Sequence, residues 1–233
     1  MNLVRKWFAN NNLKQQGWTS NGKKEGTHYL YYQSGNLRSM TNYLNGKLHG
    51  VQKYYFFTGD IKQQVEYFKG TMNGLMERKS IEGEVIFQCF FIDNKREGVC
   101  YEAVGADQTW STYSKGLLNG SRLEIKASNK TCVITEYINN KRHGDSKVFT
   151  QDGTLLQHSR YKDDKLEGDF IEYSQDLVHT KGTFKEGLKH GDFITYYSDG
   201  KIQTQAQYKN NKQIEWKAFD QNGRIIPEKR HAF

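Results

Sequence analysis

Three histidines stand at the same place in a recurring pattern. His49, His143 and His190 each precede a glycine, namely Gly50, Gly144 and Gly191. Imidazoles are ordinary zinc ligands, but zinc–nitrogen bonds are only about 2.0–2.1 Å long. These histidines fall one per repeat, and stacked hairpins hold equivalent residues about 10 Å or more apart. They read as turn-associated residues, and no metal site is expected. Cys89, Cys100 and Cys132 are odd in number and match no metal-ligand spacing. Cys89 falls in a slot otherwise filled by small residues. The three therefore read as reduced, structural thiols of a cytosolic protein. Gly-x-x-x-Gly patterns abound, but no helix start follows them. They are read as hairpin turns, not phosphate loops. No Gly-x-Ser-x-Gly, paired-carboxylate or Cys–His arrangement stands apart from the repeat. The expectation is therefore no catalytic residue, no cofactor and no enzymatic activity.

The elements behind this pattern are strands and tight turns. Gly26, Gly50, Gly74, Gly98, Gly120, Gly144, Gly168 and Gly191 recur at steps of 24, 24, 24, 22, 24, 24 and 23 residues. A fixed period of this size marks a repeat array. Seven residues before a closing position stands a ring: Tyr43, Tyr67, Phe91, Tyr113, Tyr137, Tyr161, Phe184 and, in a worn last copy, Tyr208. Four before it stand only Gly, Asn or Asp, from Gly22 and Gly46 to Asn140, Asp164 and Asn211. Those residues accept positive φ most cheaply, so the slot reads as a left-handed turn position. A second turn falls mid-repeat, as at Ser34-Gly35, Thr58-Gly59 and Asp199-Gly200. Two turns per period leave two strands of about 6–8 residues. Two before each ring the side chains are mostly small: Thr41, Val65, Cys89, Ser111, Thr135, Ser159, Gly182 and Ala206. Even spacing along a strand puts them on the face that carries the rings. Tyr31, Tyr55, Ile125, Phe149, Tyr173 and Tyr196, five after the closing glycine, are expected on that face too.

Composition agrees. Across 233 residues only 36% are hydrophobic, and mean hydropathy is −0.87. A single large central core is not expected. The expected fold is all-β, an elongated open meander of about eight stacked antiparallel hairpins with terminal caps. The single proline, Pro227, follows the last repeat, which suits nearly continuous strand pairing upstream. One repeat domain is expected over 1–233. It would have an N-terminal cap at 1–26, eight repeats at 27–215, and a C-terminal cap and tail at 216–233. That tail ends in a basic tip, Lys229-Arg230-His231. The first residues lack the apolar run of a signal peptide, and no segment is long and apolar enough to span a bilayer as a helix. A cytoplasmic location is the expectation.

The unit Tyr-Tyr-x-x-Gly-x-Leu followed by Tyr-x-x-Gly-Lys-x-x-Gly is best seen from Tyr31 to Gly50 and from Tyr196 to Lys212. It resembles the variant MORN repeat found in bacterial proteins of the YwqK antitoxin type, over about residues 7–225. The resemblance implies a β-hairpin meander that neutralises a toxin or otherwise serves as a protein-binding scaffold.

Repeat positions that match the consensus should be structural. Function should show as apolar residues on the face the consensus leaves polar. Three before the ring the series runs Met40, Gln64, Gln88, Trp110, Ile134, His158, Lys181 and Gln205. One before it stand Glu66, Phe90, Thr112, Glu136 and Arg160. Six and four after the glycine come Tyr32 and Phe56, Leu30 and Tyr54. The departures Tyr32, Tyr54, Phe56, Phe90, Trp110 and Ile134 are expected to form a partner-binding patch. A net charge of +8 favours an acidic partner. The leading reading is a protein partner, a cognate toxin or effector held by surface occlusion. An anionic membrane met by lysine-rich turns is the alternative, and a partnerless structural scaffold is a further one. No basic run resembles a nucleic-acid arm, so no specific nucleic acid is expected. The oligomeric state stays open.

Overall fold

The computed structural model describes residues 1–227, and the basic tip Lys229-Arg230-His231 lies outside them. The described residues form strands and turns, with no helix among them. The chain divides into two compact units, Met1–Leu117 and Leu118–Phe233. The first contains β1 (Asn2–Trp7), β2 (Leu13–Ser20), β3 (Lys23–Tyr31), β4 (Leu37–Leu44), β5 (Lys47–Leu48), β6 (Gly50–Tyr55), β7 (Ile61–Phe68), β8 (Thr71–Lys79), β9 (Val85–Ile92), β10 (Lys95–Val104) and β11 (Asp107–Ser114). The second contains β12 (Leu117–Lys126), β13 (Thr131–Ile138), β14 (Lys141–Thr150), β15 (Leu155–Lys162), β16 (Lys165–Ser174), β17 (Leu177–Lys185), β18 (Leu188–Lys189), β19 (Gly191–Tyr196), β20 (Ile202–Lys209), β21 (Lys212–Phe219) and β22 (Ile225–Ile226). Within each unit, neighbouring strands pair antiparallel in chain order. The expected all-β hairpin meander is what forms.

The turns explain the residue types. Asn45 and Gly46 have φ of 51° and 80°, Asp93 and Asn94 47° and 65°, Asn139 and Asn140 51° and 70°. Two consecutive positive φ values make a type I′ turn, whose twist matches that of the strands it joins. The sequence pattern marks only the second of these positions. Lys69, Lys115 and Glu186 occupy the first one, also at positive φ.

The closing glycines are not turn residues. They lie in or at the start of a strand, and each is directly opposite the ring of the following strand. The pairs are Gly26 with Tyr43, Gly50 with Tyr67, Gly74 with Phe91 and Gly98 with Tyr113. In the second unit they are Gly120 with Tyr137, Gly144 with Tyr161, Gly168 with Phe184 and Gly191 with Tyr208. The seven-residue offset read from the sequence belongs to a different, neighbouring pair. It spans the I′ turn within one hairpin, and the glycine then meets the next ring along. The register shifts on the other side of the glycine, as between Gln16 and Trp18 or Val65 and Tyr67. Such bulges call for unusual φ, and Gly74 adopts +130° there. A ring lying across a glycine also covers backbone that would otherwise be exposed.

The small residues two before each ring are all buried, as expected, and the row that faces them, two residues after each glycine, was not apparent from residue types. Its members are His28, Gln52, Met76 and Cys100 in the first unit, and Arg122, Ser146, Phe170 and Phe193 in the second. They are paired with Thr41, Val65, Cys89, Ser111, Thr135, Ser159, Gly182 and Ala206 respectively. In most pairs a larger side chain faces a smaller one, which fills the space without overlap; Cys100 with Ser111 and Ser146 with Ser159 are small on both sides. Where Phe193 stands, its neighbours are Gly182 and Ala206.

This row corrects the cysteine expectation. Cys89 and Cys100 face one another from β9 and β10, with Cα atoms 4.3 Å apart, and are joined as a disulfide; Cys132 is free. Sequence separation alone could not show that pairing, because the bulge at Gly98 sets which residue meets Cys89. The argument for a cytosolic setting from reduced thiols therefore falls away. Around the pair, Phe87, Phe91, Met72, Met76 and Tyr113 form the apolar cluster of the first unit.

Buried His28 is 3% exposed. Its Nε2 donates to the Trp18 carbonyl at 2.7 Å, while its Nδ1 has no hydrogen-bond partner. Burial holds its pKa below the ordinary 6.5, against the opposing pull of the Trp18 contact. The folded state thus stays neutral where the unfolded chain takes up a proton. Its stabilisation is complete above pH 6.5 and declines as pH falls from there towards the folded pKa. Hydrogen exchange over residues 13–31 should accelerate between pH 7 and pH 5.5, after correction for intrinsic rates. His28→Gln should remove that added acceleration.

Candidate functional site

The sheet of each unit has two faces, and strand pairing assigns residues to them. One carries the rings and the buried row. The other is the face on which the binding patch is expected. The structure separates the six expected patch residues. Tyr54 is paired with Ser39 and Gln63, which puts it on the ring face. Burial, with Tyr67 and Tyr43 nearby, raises its pKa above 10.0. Its expected placement on the second face is therefore corrected. The cause is a register shift beside it, between Tyr54 and Tyr55. The same shift recurs at Leu30/Tyr31, Val148/Phe149, Glu172/Tyr173 and Thr195/Tyr196. Strict alternation cannot be counted through it.

Tyr32 serves as a strut between repeats. Its hydroxyl donates to the Tyr55 carbonyl at 2.8 Å, and in the second unit Tyr197 donates to Phe219 in the same way at 2.8 Å. Phe56 opens the mid-repeat turn, its amide donating to Asp60, with the Lys62 ammonium 5.6 Å from its ring centre. Phe90 and Trp110 do lie on the second face, on the strands flanking β10. Phe90 pairs with Leu75 and Glu97 and is 46% exposed. Trp110 pairs with Tyr101, their ring centres 5.0 Å apart. Ile134 belongs to the second unit, between Leu123 and Lys147. Of the six, Phe90 and Trp110 thus share the second face of the first unit, two strands apart.

Sequence reasoning missed other exposed apolar residues on that face of the first unit. Leu44, Phe68 and Ile92 each follow a ring. Leu75 and Val99 each follow a closing glycine. A comparison of those two slots between repeats would have found them. The first reads Leu44, Phe68, Ile92, Ser114, Ile138, Lys162, Lys185 and Lys209; the second becomes Asp145, Asp169 and Asp192 in later repeats. In the second unit one of these slot residues, Asp145, is ion-paired. Asp145 accepts from Arg160 at 2.9 Å and lies 3.3 Å from His158 Nε2. The Arg160 hydrogen bond is the largest influence holding the Asp145 carboxyl below its ordinary range.

On the ring face, cations stack on the rings. The Lys24 ammonium lies 4.6 Å from the Tyr43 ring centre, and the Arg142 guanidinium 4.2 Å from that of Tyr161. These contacts occupy cations that could otherwise hold an anion. His49 accepts from the Lys69 amide and packs on Phe68, with ring centres 5.4 Å apart. His143 lies 3.8 Å from Asp163. Among the described residues no group of three or more His, Cys, Asp or Glu could hold a metal ion. Among the described residues no helix is long and apolar enough to cross a membrane.

Comparison with known proteins adds the repeat type. A family model described as the MORN repeat variant matches residues 24–45, 48–69 and 189–210. No curated protein matches the chain. Among solved structures, a chain of "Crystal Structure of TcdB2-TccC3-Cdc42" aligns with 13% identity and a TM-score of 0.20. The alignment covers 96% of this chain but only 15% of that one. A likeness this low carries no argument.

Proposed function

We propose that this chain is a non-enzymatic scaffold that binds another protein, and that its role is that of an antitoxin or immunity protein which covers a toxin's surface. The observation that supports this reading is that Phe90 and Trp110 share one face of the first unit, on the two strands flanking β10, at slots that are mostly polar in the other repeats. Aromatic residues left on a repeat surface without a structural task suit a protein interface, where they often dominate the energy. The repeat brings no insertion that would close a pocket over titratable groups. A net charge of +8 would speed association with an acidic partner and make that rate fall with salt.

The test begins with capture of the partner from the native cell and its purification. The purified partner should bind the chain directly and lose its own activity in proportion to the chain added. In the Trp110→Ala, Phe90→Ala double variant, affinity should fall at least about thirtyfold, as loss of roughly 2 kcal/mol or more at an interface centre implies. Undiminished affinity with an unchanged circular dichroism spectrum would rule this surface out. Partner activity that survives saturation by the chain would rule out the antitoxin role.

A further inference from the structure

The second face of the first unit carries a slender apolar stripe with one charged edge. Leu44, Phe68 and Ile92 alternate with Lys47, Thr71 and Lys95 in one row beside the I′ turns; Leu75, Phe90 and Val99 form the next row. The apolar residues of both rows are exposed, Phe68 by 51% and Val99 by 63%. The fold does not require apolar residues there, because equivalent slots in the second unit, Ile138 apart, hold Lys162, Lys185, Lys209, Asp145, Asp169 and Asp192. The turn edge carries Lys47, paired with Leu44, and Lys95, paired with Ile92, with Lys69 and Lys115 on the turns themselves. Carboxylates also stand among them. Glu97 accepts from the Lys115 amide at 2.7 Å, and Glu66 lies over Gly74. A recess of about 340 Å³ opens beside Ile92, between Asp93, Lys95, Glu97 and Lys115.

The geometry points to an amphipathic helix of a partner protein, its apolar face on this stripe and a row of carboxylates along the lysine edge. This occupant rests on reading the chain as a protein-binding scaffold and gives the chemistry of what it binds. A sheet face has no free backbone groups, so an occupant must satisfy its own backbone, as a helix does. From β4 to β10 the stripe crosses six strand arms, roughly 24 Å, which matches about 16 residues of helix. Its width of two rows suits a single apolar helix stripe. The one-sided lysines require acidic residues on one flank of that helix.

The test uses the full chain and three fluorescent helical peptides of about 16 residues. They share one leucine stripe, flanked by glutamate, by lysine or by glutamine. By anisotropy, the glutamate peptide should bind at least about tenfold more tightly than the lysine peptide, and its affinity should fall with salt. Phe68→Ser with Ile92→Ser should abolish that binding. Serine is what Ser114 places in the same slot, so the fold should tolerate it. Equal binding of the glutamate and lysine peptides, or no binding of any, overturns the proposal. Self-association of the chain abolished by the serine pair would assign the stripe to a second copy. Binding to phosphatidylserine vesicles abolished by it would assign the stripe to a lipid surface. Either result overturns the proposal too. If the native partner binds the serine pair unchanged yet is lost by the Trp110→Ala, Phe90→Ala variant, the scaffold reading stands and the helix assignment falls.

Discussion

Gly182→Ala is expected to destabilise the second unit by about 1–3 kcal/mol, the usual range for overpacking a filled site. A Cβ at this position would lie 2.4 Å from the Phe193 ring. Gly182 has no positive φ, so alanine brings no backbone strain and the overlap alone would be responsible. The ring has little room to yield. It makes edge contacts with Phe184 and Tyr208, at 5.4 Å and 5.3 Å between centres, and Lys189 lies 4.8 Å over its face. Thermal unfolding of the second unit should move down by several degrees for each kcal/mol. Phe193→Leu, destabilising alone, should recover part of the loss when combined with Gly182→Ala, giving a coupling energy of opposite sign. An unchanged midpoint for Gly182→Ala would show that the strand moves freely, against the packing described.

Gln52→Ala should cost the first unit at least about 3 kcal/mol. Gln52 is fully buried, at 0% exposure. Its Oε1 accepts from the Asn42 amide at 2.7 Å. Its Nε2 reaches the carbonyls of Gly50 at 2.9 Å, Asn42 at 3.2 Å and His49 at 3.4 Å. These bonds join the strand arm where it breaks between β5 and β6. Truncation leaves several buried groups unpaired, at about 1–3 kcal/mol each, and opens a cavity. Gln52→Met should lose less than alanine, because methionine fills the space and Met76 occupies the equivalent slot of the next repeat. Gln52→Glu should lose most, since it turns an ionised oxygen towards backbone carbonyls. Urea midpoints of the three variants would give that order, and a glutamate variant as stable as methionine would contradict it.

The hairpin turns were legible because positive φ selects residue types locally. Gly, Asn and Asp at one slot could be read without knowing what lay across the sheet. The rings were legible too, as a fixed offset repeated eight times. The small buried residues two before each ring were legible in the same way, but the row that faces them was not. Its members, from His28 and Gln52 to Phe170 and Phe193, share no residue type. Each is matched only to its cross-strand neighbours. Of the expected patch, Phe90 and Trp110 lie within two strands of each other on the second face. Tyr54 does not, because the shift beside Tyr55 breaks the count of alternating faces.

By itself, the sequence determined the period, the turn positions, the all-β character and the ring and glycine series, because backbone preference is a property of each residue and its immediate neighbours. Only the tertiary structure decided which glycine meets which ring, that Cys89 meets Cys100, and that Leu44, Phe68 and Ile92 share a face with Leu75, Phe90 and Val99. Those facts depend on strand register. Every bulge shifts register by whole residues, and the size of each shift is fixed by contacts between strands rather than by the residues along one.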